Sequence, residues 1–201
     1  ANALAEELGL RGVSAQVVFD KIEGIPADTA ALIHLGGLQS IADLDQARSV
    51  NRQVFQAART LAPRFTAEGG LFVTVQDTGG DFGLGGRGSA ARAVLGGLAG
   101  LAKTADQEWP KATVRALDLE RGDRGVSDLA DELADELLSG GGPEVEIGLH
   151  ADGRRTTLRS VETSIDADPA DLPLDSDSVI VATGGARGVT ASCLVELARR
   201  G

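Results

Sequence analysis

Short runs rich in β-branched and apolar residues alternate along this chain with stretches of helical length, and that alternation leaves few architectures open. The runs are "VSAQVV" (Val13–Val18), "AALIHLGG" (Ala30–Gly37), "GLFVTVQ" (Gly70–Gln76), "ATVRALDL" (Ala112–Leu119) and "VEIGLH" (Val145–His150), followed by an extended stretch "RRTTLRSV" (Arg154–Val161). "GLFVTVQ" is apolar enough along its length to be buried on both faces, as central strands of parallel sheets are. Between the runs, Leu44, Ala47, Val54, Ala58 and Leu61 recur at helical spacing, and Pro63 is expected to end that helix. A glycine-rich loop, "DTGGDFGLGGRGS" (Asp77–Ser89), feeds a long helix to about Trp109 with Val94, Leu98, Leu101 and Ala105 in one stripe and Leu95, Ala102 and Trp109 beside it. Its interior glycines, Gly96, Gly97 and Gly100, each cost about 1 kcal/mol relative to alanine and suggest close packing against a neighbour. "VSDLADELADELLS" is the next helix. Strand and helix in alternation give an α/β fold, a mainly parallel sheet with helices on both faces.

The chain reads as two unequal parts. Residues 1–165 form the α/β domain; residues 166–178, within "ETSIDADPADLPLDSDS", are a linker rich in Asp and Pro; and residues 179–201 open a second unit with the strand "VIVA", a glycine turn and a helix. Ala1 sits at a helix (Ala3–Leu8) where such a sheet normally opens with a strand, and Gly201 closes the first helix of the second unit. Both ends therefore read as cut.

A net charge of −11 argues against nucleic acid or an anionic membrane as partner, since phosphate binding needs a basic face. The basic stretch "GRRTTLR" (Gly153–Arg159) reads as the solvated face of a strand. No apolar run approaches a membrane span, and the first residues lack the basic and apolar regions of a secretory signal. The single cysteine, Cys193, has no partner for an internal disulfide and is expected at a buried helix position; a cytoplasmic location is the simplest.

The turn "TGGARGVT" offers the chain's one recognisable ligand site. Thr183, Gly184, Gly185, Ala186, Arg187, Gly188 and Val189 lie between an apolar strand and a helix, where glycines let the backbone approach a pyrophosphate and the helix N-terminus favours negative charge. The order matches the T-G-x-x-x-G-x-G pattern of short-chain dehydrogenases in its first two glycines, with Thr190 in place of the third. A purely structural turn is the alternative. Arg187 is placed to pair with the 2′-phosphate of an adenosine ribose, favouring NADPH, or else to face solvent.

"LGGLAGLAKTADQEWPKATVRALDLE" and "VIVATGGARGVTASC" resemble the ketoreductase regions of type I polyketide synthases and of the related polyunsaturated fatty acid synthases, the second piece especially the latter. The similarity spans most of the chain. It implies a Rossmann-like, truncated short-chain-dehydrogenase pseudo-domain: a non-catalytic structural subdomain, then the first edge of an NADPH-binding catalytic subdomain. It implies as partners the catalytic subdomain of the same polypeptide, other synthase domains, and an acyl carrier protein holding a phosphopantetheine-bound acyl chain. The intact region would reduce a 3-oxoacyl group with NADPH, while this chain alone would bind the cofactor weakly or not at all.

Active short-chain dehydrogenases use a serine and a tyrosine with a basic or amide partner four residues on, the tyrosine donating the proton. Matching the helix stripe puts Gly88 at the tyrosine position, Arg92 at the partner and Val75 or Gln76 near the serine; the chain contains no tyrosine. No catalytic residue is therefore expected here. His34 and His150, at the ends of short apolar strands, read as satisfied structural histidines, the acids of "DLADELADELL" as a solvated face rather than a metal site, and Asp77–Ser89 as a surface loop rather than a vestigial pocket. Two other readings stay open: a nucleotide-binding or scaffolding module without redox chemistry, and a ketoreductase that has lost activity and serves as architecture.

Overall fold

The computed structural model describes residues 1–19, 24–26, 28–86, 89–164, 175 and 177–200. The chain divides into two compact units, Ala1–Arg159 and Ser160–Gly201. Most of the expected linker, and Gly88, lie outside the described residues.

The first unit runs α1 (Asn2–Leu10), β1 (Ala31–Gly37), α2 (Leu44–Ala67), β2 (Gly70–Gln76), α3 (Ala90–Ala93), α4 (Gly96–Glu108), β3 (Ala112–Leu119), α5 (Val126–Ser139), β4 (Glu146–Leu149) and β5 (Arg155–Thr157). The strands form one sheet in the order β1-β2-β3-β4-β5. β1 to β4 are parallel and β5 returns antiparallel to β4. This is the mainly parallel α/β sheet that the alternation predicts, and it is Rossmann-like, as the resemblance implies.

Each face of the sheet carries its own core. Phe72, Val114 and Ala116 point to one side, where they meet Val54, Leu61 and Phe65 of α2 and Leu98 and Ala102 of α4. Val73, Val75, Leu117, Leu119, Ile147 and Leu149 point to the other, against Leu4 and Leu8 of α1 and Leu133 and Ala134 of α5. Side chains of successive strand residues alternate between faces, so one sheet feeds both cores. Trp109 closes the first core with Phe65 and Phe72 edge-on to it, each ring centroid 5.4 Å away. On the second face Arg11 ties α1 to α5 through Asp131 and through Asp135 at 2.5 Å.

Four expectations change. Residues 13–18 are not a strand: among the described residues no strand pairs with them, Val18 and Phe19 are exposed, and backbone without a ladder gains nothing from extension. Likewise residues 179–182 belong to no sheet, and Val179 and Val181 are over nine-tenths exposed. The second helix passes through Pro63 to Ala67, because Leu61 and Phe65 extend its buried stripe while Pro63 sits on the exposed side, where the carbonyl left without its donor can be met by water. The helix after the glycine loop is broken at Val94–Leu95, where the Asn51 amide takes the Val94 carbonyl at 2.9 Å.

Candidate functional site

The second unit has, in its described part, one helix, α6 (Gly188–Arg200), entered through the glycine turn. Gly184 and Gly188 have φ of +73° and +68°, a region that favours glycine, and a Cβ on either would meet open space. Gly185 has another role: a Cβ there would lie 2.5 Å from Cδ1 of Leu194, so its bareness lets the turn fold back on α6. Thr183 to Val189 thus come together as one continuous turn entering the helix, mostly exposed, Arg187 included. The first amides of α6 have no helical acceptors, and no acidic side chain stands in its first turn. Unpaired amides with no acidic side chain beside them favour an anionic group over a cationic one. Cys193, on the same helix, is exposed rather than buried, since α6 has little in its own unit to pack upon.

In the first unit, the register aligns Gly37, Gln76, Asp118 and Gly148 in a row across the C-terminal ends of β1 to β4. Ligands of parallel α/β sheets bind beyond this edge. Here the chain's own backbone occupies it. The loop after β2 carries Thr78 and Gly80 into buried positions, and the Gly80 carbonyl rests where a Cβ of Gly148 would stand. Asp118 accepts from the Thr78 amide at 2.6 Å, the Thr78 hydroxyl at 2.9 Å and the Phe82 amide at 2.6 Å. Gln76 Nε2 donates to the same hydroxyl at 2.8 Å. Burial pushes the Asp118 carboxyl above its ordinary pKa, and the Thr78 and Phe82 hydrogen bonds oppose the rise. The loop Asp77–Ser89 is therefore packed into the sheet edge in its first half, where a surface loop was expected.

Arg92, at the partner position of the catalytic pattern, is a clamp. Its Nε donates to the Asp77 carbonyl at 2.8 Å, and its Nη2 and Nη1 reach the Gly37 and Gln39 carbonyls at 3.2 and 3.3 Å. It holds the ends of β1 and β2 together, with the Asp77 carboxylate turned to Arg121 at 2.8 Å. Val75 is fully buried in the second core. His34 lies within β1 rather than at its end; its Nδ1 is buried without a hydrogen-bond partner, and burial lowers its pKa to about 4. His150 follows β4 and meets the Thr156 hydroxyl through Nε2 at 3.0 Å. The acids of α5 work in ion pairs, Glu132 with Arg124 at 2.6 Å and Glu136 with Arg155 at 2.8 Å. Arg155, read as solvated, is thereby tied down. No cluster of metal-ligating side chains occurs among the described residues.

Sequence reasoning passed over the Gln76–Thr78–Asp118 group. The available signal was Asp118 itself, an acid near the end of the otherwise apolar "ATVRALDL".

No family model matches the chain. Over 111 residues, 54% of its length, it is 31% identical to one of the subunits of the polyunsaturated fatty acid synthase of Thraustochytrium sp. (strain ATCC 26185 / S-3), and the match covers 4% of that protein. The chain is thus similar to one small portion of a synthase polypeptide, as the resemblance to that branch implied. Among solved structures it is similar to a multidomain structure described as the adenylation, ketoreductase and pseudo Asub domains of a keto acid-selecting NRPS module. The identity there is 18%, the TM-score 0.48, and the coverage 75% of this chain and 12% of that one.

Proposed function

We propose that the chain is the structural part of a ketoreductase region in a multidomain polyketide or fatty acid synthase, joined to the first edge of the NADPH-binding subdomain. The similarity to a polyunsaturated fatty acid synthase carries this reading. Its inert character is supported by the occupied strand ends, by Arg92 acting as a clamp, and by a sequence without tyrosine.

In the intact region NADPH would supply a hydride to the 3-oxo carbon of a carrier-bound thioester, giving a 3-hydroxyacyl product once a proton reaches the oxygen. The share of this chain is to bind and to brace. The amides of Gly188 and Val189 at the start of α6 would hold the pyrophosphate, and Arg187 would pair with the 2′-phosphate. Residues 1–159 would cover an apolar face of the catalytic half, which exposed would promote association.

The test is NADPH consumption with a 3-oxoacyl thioester, using a longer polypeptide that contains this chain and about 250 further residues downstream, an ordinary domain length. Turnover preferring NADPH, with the preference lost in Arg187→Ala, is expected. Equal use of NADH by the unmutated protein would defeat the role given to Arg187, and no turnover from a folded protein would defeat the reductase reading. The open, exposed glycine turn favours one alternative, a nucleotide-binding or scaffolding module without redox chemistry. Under that alternative this chain alone binds NADPH in titration at ordinary cofactor affinity; under the proposal it binds weakly or not at all.

A further inference from the structure

Three features of the first unit converge on one loop. The backbone of Gly79–Phe82 is threaded into the crevice at the C-terminal edge of the sheet, where a Cβ on Gly80 would stand 3.0 Å from Nδ1 of His150, 3.2 Å from the Leu149 carbonyl and 3.3 Å from Cβ of Glu120. Both glycines take positive φ, Gly79 at +105° and Gly80 at +76°, and Phe82 follows at +57°, alone among described non-glycine residues. A non-glycine residue in that region is uncommon and strained, so something must hold it there. Asp118 is what holds it. Its Oδ2 accepts both the Phe82 amide and the Thr78 hydroxyl, and its Oδ1 accepts the Thr78 amide, so one buried carboxylate fixes the loop at its entry and at its exit.

We infer that Asp118 is a positioning residue, a latch that keeps the Thr78–Phe82 segment folded into the strand-end crevice as an intramolecular plug. The crevice stays closed because three donors of the loop converge on the carboxylate and because Gly148 leaves room for the Gly80 carbonyl. A loop resting on the surface would need neither. This inference stands on the sheet edge alone and is independent of the ketoreductase reading, whose test is turnover by a longer polypeptide.

The latch makes two demands on substitution. In Asp118→Asn the amide nitrogen replaces one carboxylate oxygen, so a donor faces a donor at either the Thr78 or the Phe82 amide. In Gly148→Ala the new Cβ takes the place of the Gly80 carbonyl and pushes the plug outward while Asp118 is untouched.

The experiment is residue-resolved amide hydrogen exchange on the full chain, unmutated and with each substitution. In the unmutated chain the Thr78 and Phe82 amides should be protected to within about tenfold of sheet amides such as Val114, as buried hydrogen-bonded amides are. Each substitution should speed exchange at those two amides by about tenfold or more while Val73 and Val114 keep their protection. Exchange at Thr78 and Phe82 already as fast as an open loop in the unmutated chain would overturn the inference. So would unchanged protection in both variants. Loss of protection throughout the sheet in Asp118→Asn would assign the carboxylate to the core rather than to the loop, and would overturn it equally.

Discussion

Glycines in one helix can be told apart by what their missing side chains would strike. On Gly97 a Cβ would collide with the Asn51 side chain, which is engaged with the Val94 carbonyl; on Gly96 and Gly100 it would meet nothing within 4 Å. Close packing was expected of all three, and only Gly97 shows it. Gly100→Ala should therefore stabilise the chain by about 0.5–1 kcal/mol through helix propensity, and Gly97→Ala should destabilise it by about 1–3 kcal/mol through overpacking and loss of the Asn51 bond. Chemical denaturation midpoints measure both, and equal shifts of the same sign would refute the distinction. His34 supplies a pH dependence. Its folded pKa, about 4, lies below the ordinary value of 6.5, so between those values the unfolded chain binds the proton that the folded chain refuses. Stability is then lost as pH falls from about 6.5 to about 4, by at most about 3 kcal/mol, and His34→Asn should flatten that slope in a urea titration series. Asp118 acts with the opposite sign, because its pKa is raised: the folded chain keeps a proton that the unfolded chain releases, and that contribution is lost as pH rises above the ordinary carboxyl range. A His34→Asn profile as steep as the parent's would remove the histidine from the account.

Helix α2 shows propensity overridden by packing. Pro63 lacks a donor and is unfavourable inside a helix by about 3 kcal/mol, yet the helix persists because Leu61 and Phe65 on either side of it are fully buried. Pro63→Ala should raise stability by about 1–3 kcal/mol, read as a higher Tm; an unchanged or lower Tm would mean that the proline's rigidity in the unfolded chain outweighs its cost in the helix. Elements whose signals were local were legible from the residues. β2, β3 and α5 fall on the segments that apolar runs and helical spacing marked, since a doubly buried strand or an amphipathic helix writes its environment into its own composition. Elements that need a partner were not. Residues 13–18 and 179–182 have strand composition and, among the described residues, no strand beside them, and composition cannot report what lies alongside. The break before α4 depended on Asn51, more than forty residues earlier, and spacing within the helix could not announce it.

For the molecule as a whole, the two units differ in what they leave open. The first has two full cores and a strand-end crevice filled by its own loop, while the second presents an open glycine turn with Val179, Val181 and Val189 exposed around it. The turn was legible because glycine spacing is local. The filled crevice was not, because it depends on a register that sets Gln76, Asp118 and Gly148 side by side from three segments far apart in sequence. Among the described residues no helix is long and apolar enough to cross a membrane. Under the proposed reading the first unit supports chemistry performed elsewhere in a longer polypeptide. The most direct measurement is NADPH-dependent reduction of a 3-oxoacyl thioester by that polypeptide with and without residues 1–165. The account predicts turnover in the first case and a loss of at least tenfold in activity or soluble yield in the second, as removal of a covering surface entails. Undiminished activity from a soluble protein lacking those residues would contradict it.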